Sequence, residues 1–471
     1  MNNLLVVVAL FLSLVTVKGT EQWVIAYWAG WENTIQTPDD IDYSLFTHIV
    51  VGSALVKDSS TGSLDTSFFQ GSVAQGETIA MKITSNAHKS SRKALLMFGG
   101  GGYGWPILSA MQTNPSALVT TLVSTAKRLG FDGIDLDWED NIDATLFVDL
   151  VKRLKSADSS LTLTVPGMMM NPNMSPTVAS YIPELVKQGV ERYSVMSYIP
   201  SCVLWGYGWL SWHASPISGC KTFTPVCIED TLTRLTNAGI PKSKLGLGIG
   251  LYAGCYTGGI TGPNQATTGT GSIIGSDGSM PLRTLQWDPA TRHWDNEALT
   301  SYLSLSTANA QGCQYVTFDD EESMEFKGNW SRANGYGGVI VRSIGKGYIG
   351  SNPIGKREPF MSAIARGFLS SSGGGNAGGS TSNSAADATN GVGGNTFGGL
   401  KAGGVIALIF FFVYLPACAV IMFVGWVVCR KAVMSTPFSI IPSKTELHAA
   451  YSLFKSPPPP PPPAAAIPAS K

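Results

Sequence analysis

Eight short apolar runs, each ending in a loop, punctuate residues 20 to 368, and helix-like stretches lie between them. The runs are WVIAYWAG, FTHIVVGSAL, KALLMFGGGG, FDGIDLDWE, LTLTVPGMMM, RYSVMSY, LGLGIGLYAG and GGVIVRSIG. Segments such as NPSALVTTLVSTAKRLG and DATLFVDLVKRLKSA carry apolar residues at helical spacing. Eight strand–helix repeats, with no strand left over, predict an α/β fold: a closed (β/α)8 or TIM barrel with loop insertions.

The fourth run is unusual. In FDGIDLDWED, residues Asp135, Asp137 and Glu139 alternate with Ile134, Leu136 and Trp138. Strand side chains alternate between faces, so the three acids share one face, about 6.8 Å apart along the strand. The apolar face suits the helices outside a barrel, which turns the acids inward. Glu139 comes last, at the C-terminal end of the strand, where barrel enzymes carry their active sites. Carboxylates crowded in a closed space titrate together and at least one holds its proton to higher pH, as a general acid near neutrality requires. A metal-binding or salt-bridged acid row is the competing reading. A hard cation wants more oxygen ligands than one strand face supplies, and no basic interior residue is evident beside this strand, so neither metal nor cofactor is expected. Asp132 has the opposite parity and, with Gly133, reads as structural; Asp140 reads as loop. The Gly-rich MFGGGGYG lacks the Lys-Ser/Thr pair of a phosphate-binding loop. With formal net charge zero and no basic patch, nothing suggests a nucleic-acid partner.

FDGIDLDWE resembles the DGxDxDxE signature of family 18 glycoside hydrolases, the chitinase family. Residues 23 to 366 are similar to that family, through AYWAGW, FTHIVV, LLMFGGGG, MSY and VTFDDEESMEFK followed by GYGGVIV. The resemblance implies retaining hydrolysis of β-1,4 N-acetylglucosamine linkages, in chitin or chito-oligosaccharides, with the substrate's own N-acetyl group as nucleophile. Glu139 would be the acid/base. Asp137 would hold the acetamido N–H, with Asp135 beneath it sharing a proton. Tyr198 would bind the acetamido oxygen, and Tyr27 would support the acid pair. Met196 would line the sugar site. Three positions depart from the family pattern: Met97 replaces a Ser, Ile199 an Asp or Asn, and Arg342 a Trp that floors the sugar. The same motif also fits an endo-β-N-acetylglucosaminidase acting on N-glycan cores, or a chitin-binding receptor that does not cut. In the loop after the sixth strand, Trp205, Tyr207, Trp209 and Trp212 are candidates to stack on sugar, as are, more weakly, Trp287 and Trp294. The acidic run TFDDEESMEFK reads as a solvated helix start.

The flanks place the barrel. Residues 1–19 read as a secretory signal, with an apolar core and small residues at Val17 and Gly19, though without Lys or Arg before the core. Residues 20–368 form the barrel and 369–402 a Gly/Ser-rich stalk. Residues 403–429 carry no charge and are long enough to span a bilayer, with Pro416 a point of kinking. Arg430 and Lys431 follow, against Lys401 before the span, which predicts a type I plasma-membrane protein with its barrel outside and residues 430–471 in the cytoplasm. Pro457–Pro463 forms a polyproline run that suits the aromatic groove of an adaptor domain, or else an inert tail. Five cysteines fall outside: Cys202, Cys220, Cys227, Cys255 and Cys313. The number is odd, so at least one lacks a partner within the chain; Cys202 and Cys220 can staple the Trp-rich loop. Cys418 and Cys429 lie in the span, where Cys429 is either a palmitoylation site or a plain thiol. Asn173 and Asn329 stand in N-glycosylation sequons.

Overall fold

The computed structural model describes residues 22–169, 180–198, 210–221, 224, 226–266, 273–274 and 280–370. The predicted signal, span and tail lie outside these residues, as does the stalk from residue 371 on, its first residue Leu369 instead ending a helix; Asn173, Ile199, Cys202, Trp205, Tyr207 and Trp209 also lie outside. Among the described residues no helix is long and apolar enough to cross a membrane.

Fourteen strands and eight helices are described. The strands are β1 (Trp23–Ala29), β2 (His48–Asp58), β3 (Ser63–Asp65), β4 (Lys93–Gly99), β5 (Gly133–Asp137), β6 (Thr162–Gly167), β7 (Arg192–Val195), β8 (Leu245–Gly250), β9 (Gly254–Tyr256), β10 (Ile273–Ile274), β11 (Arg292–Asp295), β12 (Thr300–Ser304), β13 (Tyr315–Thr317) and β14 (Gly338–Arg342). The helices are α1 (Val73–Lys89), α2 (Gly104–Thr113), α3 (Pro115–Leu129), α4 (Ala144–Ala157), α5 (Ile182–Gln188), α6 (Ile228–Asn237), α7 (Glu321–Ala333) and α8 (Pro359–Leu369). Strands run in the order β1-β14-β8-β7-β6-β5-β4-β2, and β1 also pairs with β2, so the sheet closes on itself. Every pairing in that ring is parallel, and the eight predicted runs are its eight strands.

Local signals explain the helices that follow the acidic strand and the one before it. Asn114 caps α3 by accepting from the Ala117 amide, Pro115 opens the helix, and Gly130 ends it in the left-handed region at φ 81°. Asp143 caps α4 through the amides of Thr145 and Leu146. Both helices turn their apolar stripes onto the sheet's outer face, where Ile134, Leu136 and Trp138 are buried with Leu122, Phe147 and Leu150.

Between β8 and β14 the chain makes a second, antiparallel sheet in the order β10-β9-β13-β12-β11. Two disulfides are described, one in this insertion and one before α6. Cys255–Cys313 joins β9 to the approach to β13, and Cys220 pairs with Cys227, seven residues on. The Cys202–Cys220 staple is therefore corrected: the nearer thiol, just before α6, takes Cys220. Trp212 is also corrected as a stacking residue. It is buried, its indole N–H donates to the Val226 carbonyl (3.1 Å), and it packs beside His213. Trp287 packs edge-on against Phe318, and Trp294 lies against Phe326 and under Arg292.

The run TFDDEESMEFK is not solvated throughout. Asp320 caps α7, as a helix start should, but Asp319 and Lys327 are an ion pair with 1% and 0% of their side chains exposed. Lys327 also donates to the Ser215 hydroxyl (2.7 Å), and Ser323 donates to Asp319 (2.8 Å). Composition hid this, because a pair eight residues apart looks the same whether it faces water or the core. Removing one partner strands a charge in the core, which costs about 3–5 kcal/mol. Lys327→Met should lower the free energy of unfolding by that order in urea titration, and adding Asp319→Leu should recover most of the loss.

Candidate active site

Along the barrel's interior, successive layers are set by strand parity. Tyr27, Met97, Met196 and Tyr198 are buried together at the C-terminal end, above Ile25, Val50, Leu95 and Ile340. β5 contributes Asp135 and Asp137 to this interior, and Glu139 lies two residues past its last paired residue, partly exposed. The inward orientation predicted for the three acids is correct.

Asp135 is 1% exposed, and both its oxygens are engaged. The Tyr27 hydroxyl donates to Oδ2 (2.7 Å), and the Thr164 hydroxyl donates to Oδ1. Burial pushes its pKa up to about 7, against the pull of these two hydrogen bonds and of Arg342. Asp137 sits higher and is hydrogen-bonded to Glu139. Burial, with the charges of Glu139 and Asp135, holds its proton well above the usual carboxylate range. Glu139 is raised too, chiefly by burial, while Arg342, Asp137 and the Gly101 amide pull it down. So Asp137 is the member of the pair that keeps its proton to higher pH. Asp137 Oδ1 is buried with no hydrogen-bond partner among the described residues.

The glycine run after β4 holds this segment in place. Gly100 N–H donates to the Asp137 carbonyl (2.7 Å), and Gly102 and Gly104 donate to the Asp140 carboxylate. A Cβ on Gly104 would sit 1.7 Å from the Asp140 carbonyl oxygen, so that position admits no side chain. The loop cradles a carboxylate of its own chain, and Asp140 is the loop residue that anchors it. Asp132 is structural, as its parity implied: it accepts from the Ala94 amide (2.8 Å) and lies 2.9 Å from His88 Nε2. At Gly133 a Cβ would meet the Thr162 carbonyl oxygen at 2.0 Å.

Arg342 ends β14, the position predicted for it, and overturns the expectation that no basic interior residue faces the acids. Its guanidinium lies 6.0 Å from the Tyr27 ring and 5.5 Å from that of Trp31, and its charge acts on Asp135, Asp137 and Glu139. Met97 pairs with Asp135 across β4 and β5, and its sulfur fills the space over Gly52. An apolar residue there is tolerated because Tyr27 and Thr164 already satisfy Asp135. Tyr198 stands near the acids and edge-on to Tyr252 (6.2 Å), with its hydroxyl kept protonated by burial. Met196 packs beneath it in the inner layer.

Sequence reasoning missed Thr164 and Trp31. The polar alternation of LTLTVPG pointed Thr164 inward beside Asp135, its β5–β6 pairing partner. Trp31, 46% exposed just past β1, packs edge-on against Phe69 (4.9 Å). Tyr103 and Trp105, after β4, are exposed at the same end of the barrel. Exposed aromatics clustered at one mouth are an apolar platform of the kind that stacks on sugar faces.

A closed parallel barrel with a proton-holding carboxylate row at its C-terminal mouth is an arrangement suited to acid/base chemistry. The sequence profile described as Glycosyl hydrolases family 18 matches residues 23–346, and the chain belongs to that family. It is 27% identical over 302 residues to a probable endochitinase of Caenorhabditis elegans, covering 58% of this chain and 47% of that protein, so it spans about half of that relative. It is 24% identical over 338 residues to chitotriosidase-1 of Mus musculus, covering 64% of this chain and 68% of that one. Its fold matches the Group IV chitinase of Ostrinia furnacalis with TM-score 0.59 at 20% identity, over 74% of this chain and 100% of that one. It also matches a chitinase-like agglutinin of Robinia pseudoacacia, with TM-score 0.56 at 20% identity, over 73% and 99%.

Two outcomes follow for the carboxylates. The folded pKa of Asp135, about 7, exceeds its ordinary 3.8, so its proton favours the folded state. That contribution is full below the ordinary value and fades as pH rises through the folded one. Asp135→Asn cannot ionise, and urea titrations from about pH 4 to about pH 8 should show a smaller loss of stability than in the parent. Arg342→Met removes a cation and should raise the Glu139 carboxyl pKa, read by carbon NMR.

Proposed function

We propose that this protein hydrolyses β-1,4 N-acetylglucosamine linkages in chitin or chito-oligosaccharides, retaining configuration at the anomeric carbon. The observation that carries this reading is the buried, unpartnered Oδ1 of Asp137 beside Glu139, above an Asp135 held by two hydroxyls. Such an oxygen suits the N–H of an acetamido group.

The steps follow from that geometry. Protonated Glu139 gives its proton to the glycosidic oxygen as the bond to the anomeric carbon breaks. The acetamido carbonyl oxygen bonds to that carbon, forming an oxazolinium ion, while Asp137 Oδ1 accepts the acetamido N–H. Tyr198 donates to the acetamido oxygen. Ionised Glu139 then takes a proton from water, the resulting hydroxyl adds to the anomeric carbon, and the ring opens back to the acetamide. Asp135 stays below, fixed by Tyr27 and Thr164, and disfavours ionisation of Asp137 by its own negative charge. Trp31 and the neighbouring aromatics support the reading as stacking surfaces for the sugar chain. The charge-free segment 403–429, followed by Arg430 and Lys431, supports an anchored enzyme with its barrel outside the cell, and Pro457–Pro463 supports an adaptor domain as cytoplasmic partner.

Glu139→Gln should lower kcat on chito-oligosaccharides by at least about a thousandfold while leaving oligomer binding in place, as loss of the proton donor predicts. Unchanged turnover in that variant would sink the assignment. Release of intact glycans from a glycoprotein without cleavage of chito-oligomers would move the substrate to N-glycan cores. Tight binding without products over long incubation would make the protein a receptor.

A further inference from the structure

At the opposite, N-terminal end of the barrel, strand parity points a layer of basic residues inward. His48 opens β2, Lys93 opens β4 and Arg192 opens β7. His48 and Lys93 are direct partners in the β2–β4 pairing. Lys93 crosses over Gly133 to bring its ammonium 3.5 Å from the Thr162 hydroxyl on β6. Arg192 reaches across the barrel, with its guanidinium 6.0 Å from the centre of the Trp23 ring on β1. Trp23 fills the half of this floor where β8 and β14 contribute glycine: a Cβ on Gly246 or Gly338 would collide with its indole. The other half is left to the three bases and Thr162.

Hydrogen bonding in this floor is incomplete. His48 is 5% exposed; its Nδ1 meets the Thr47 hydroxyl at 2.7 Å, but its buried Nε2 has no hydrogen-bond partner among the described residues. Arg192 Nε and Nη1 are likewise buried without a hydrogen-bond partner among the described residues. The acid recorded beside them is Glu191, 3.7 Å from Arg192 Nη1, beyond hydrogen-bond reach and shared with Lys155 at 3.1 Å. Burial and the positive charges of Arg192 and Lys93 push the His48 pKa down to about 3. Orphaned buried donors on a guanidinium are costly unless something accepts from them.

We propose that the floor of the barrel, formed by His48, Lys93, Arg192 and Thr162, is a binding site for a small tetrahedral oxyanion of the sulfate or phosphate class. The side-on edge of the guanidinium, Nε with Nη2, matches two oxygens of such an anion, and its Nε is one of the unpartnered donors. Lys93 and the Thr162 hydroxyl reach a third oxygen, and His48 Nε2 turns toward the fourth. An anion in this place reverses the electrostatics around His48, so occupancy brings a proton onto the imidazole. Affinity therefore rises as pH falls. The site is at the end of the barrel away from Glu139, so the anion is not a substrate.

Sulfate is the probe, because it stays a dianion throughout the relevant pH range. Equilibrium dialysis of the full chain against labelled sulfate, at ionic strength fixed with sodium chloride, should give saturable binding that is tighter at about pH 5.5 than at about pH 7.5. Lys93→Gln, at an exposed position that folding does not require, and Arg192→Gln should each weaken binding by at least about tenfold. Arg342→Gln, at the other mouth, should leave it unchanged. Calorimetry on the parent chain gives a second measurement should Arg192→Gln fail to fold. Absence of saturable sulfate binding in the parent overturns the proposal, as does binding that survives Lys93→Gln or is lost in Arg342→Gln.

Discussion

The burial of Asp135 between two hydroxyls is the interaction on which the site depends. A carboxylic acid inside a closed barrel is tolerated only if its oxygens find donors or it keeps its proton, and here both conditions act. Tyr27 and Thr164 fix its position from the strands on either side of the barrel, and its presence beneath Asp137 discourages that residue from ionising. Glu139 then faces a neighbour that holds its proton, at the most exposed point of the row. The gradient from buried to accessible along β5 is the source of three different acid strengths in residues of nearly identical chemistry.

Arg342 acts against that gradient. Where burial raises the acids, a guanidinium at the end of β14 lowers them, and it is aligned with the Tyr27 and Trp31 rings. The working range of the acid/base is thus set by two opposing effects from different strands. The same residue couples the electrostatics of the acid row to an exposed aromatic surface, so a sugar that stacks on Trp31 also meets the cation.

The barrel and the acid row were legible because they rest on periodicity. Alternation of Asp135, Asp137 and Glu139 with apolar neighbours fixes their face whatever the rest of the chain does, and eight apolar runs separated by amphipathic segments admit few closed topologies. What was not legible depended on distance in three dimensions. Lys327 lies eight residues after Asp319, and nothing local distinguishes an exposed pair at that spacing from one sealed in the core. The partner of Cys220 turned on which thiol the loop brings near, and Cys227 is closer in the chain. Arg342 could be placed at the end of a strand, but its effect on the acids required knowing that its charge reaches the acids of β5 from β14. Trp212 carried the same aromatic signal as Trp31, and only burial separates packing from display.

Closure of the barrel by β1 against β14 also sets the order in which the site comes into being during synthesis. The acid row emerges from the ribosome long before Arg342, and until β14 takes its place the ring has a gap through which water reaches β5. Arg342 is the last of these charged residues in the chain, so a chain interrupted before residue 342 carries every acid of the signature without the cation that opposes the effect of their burial.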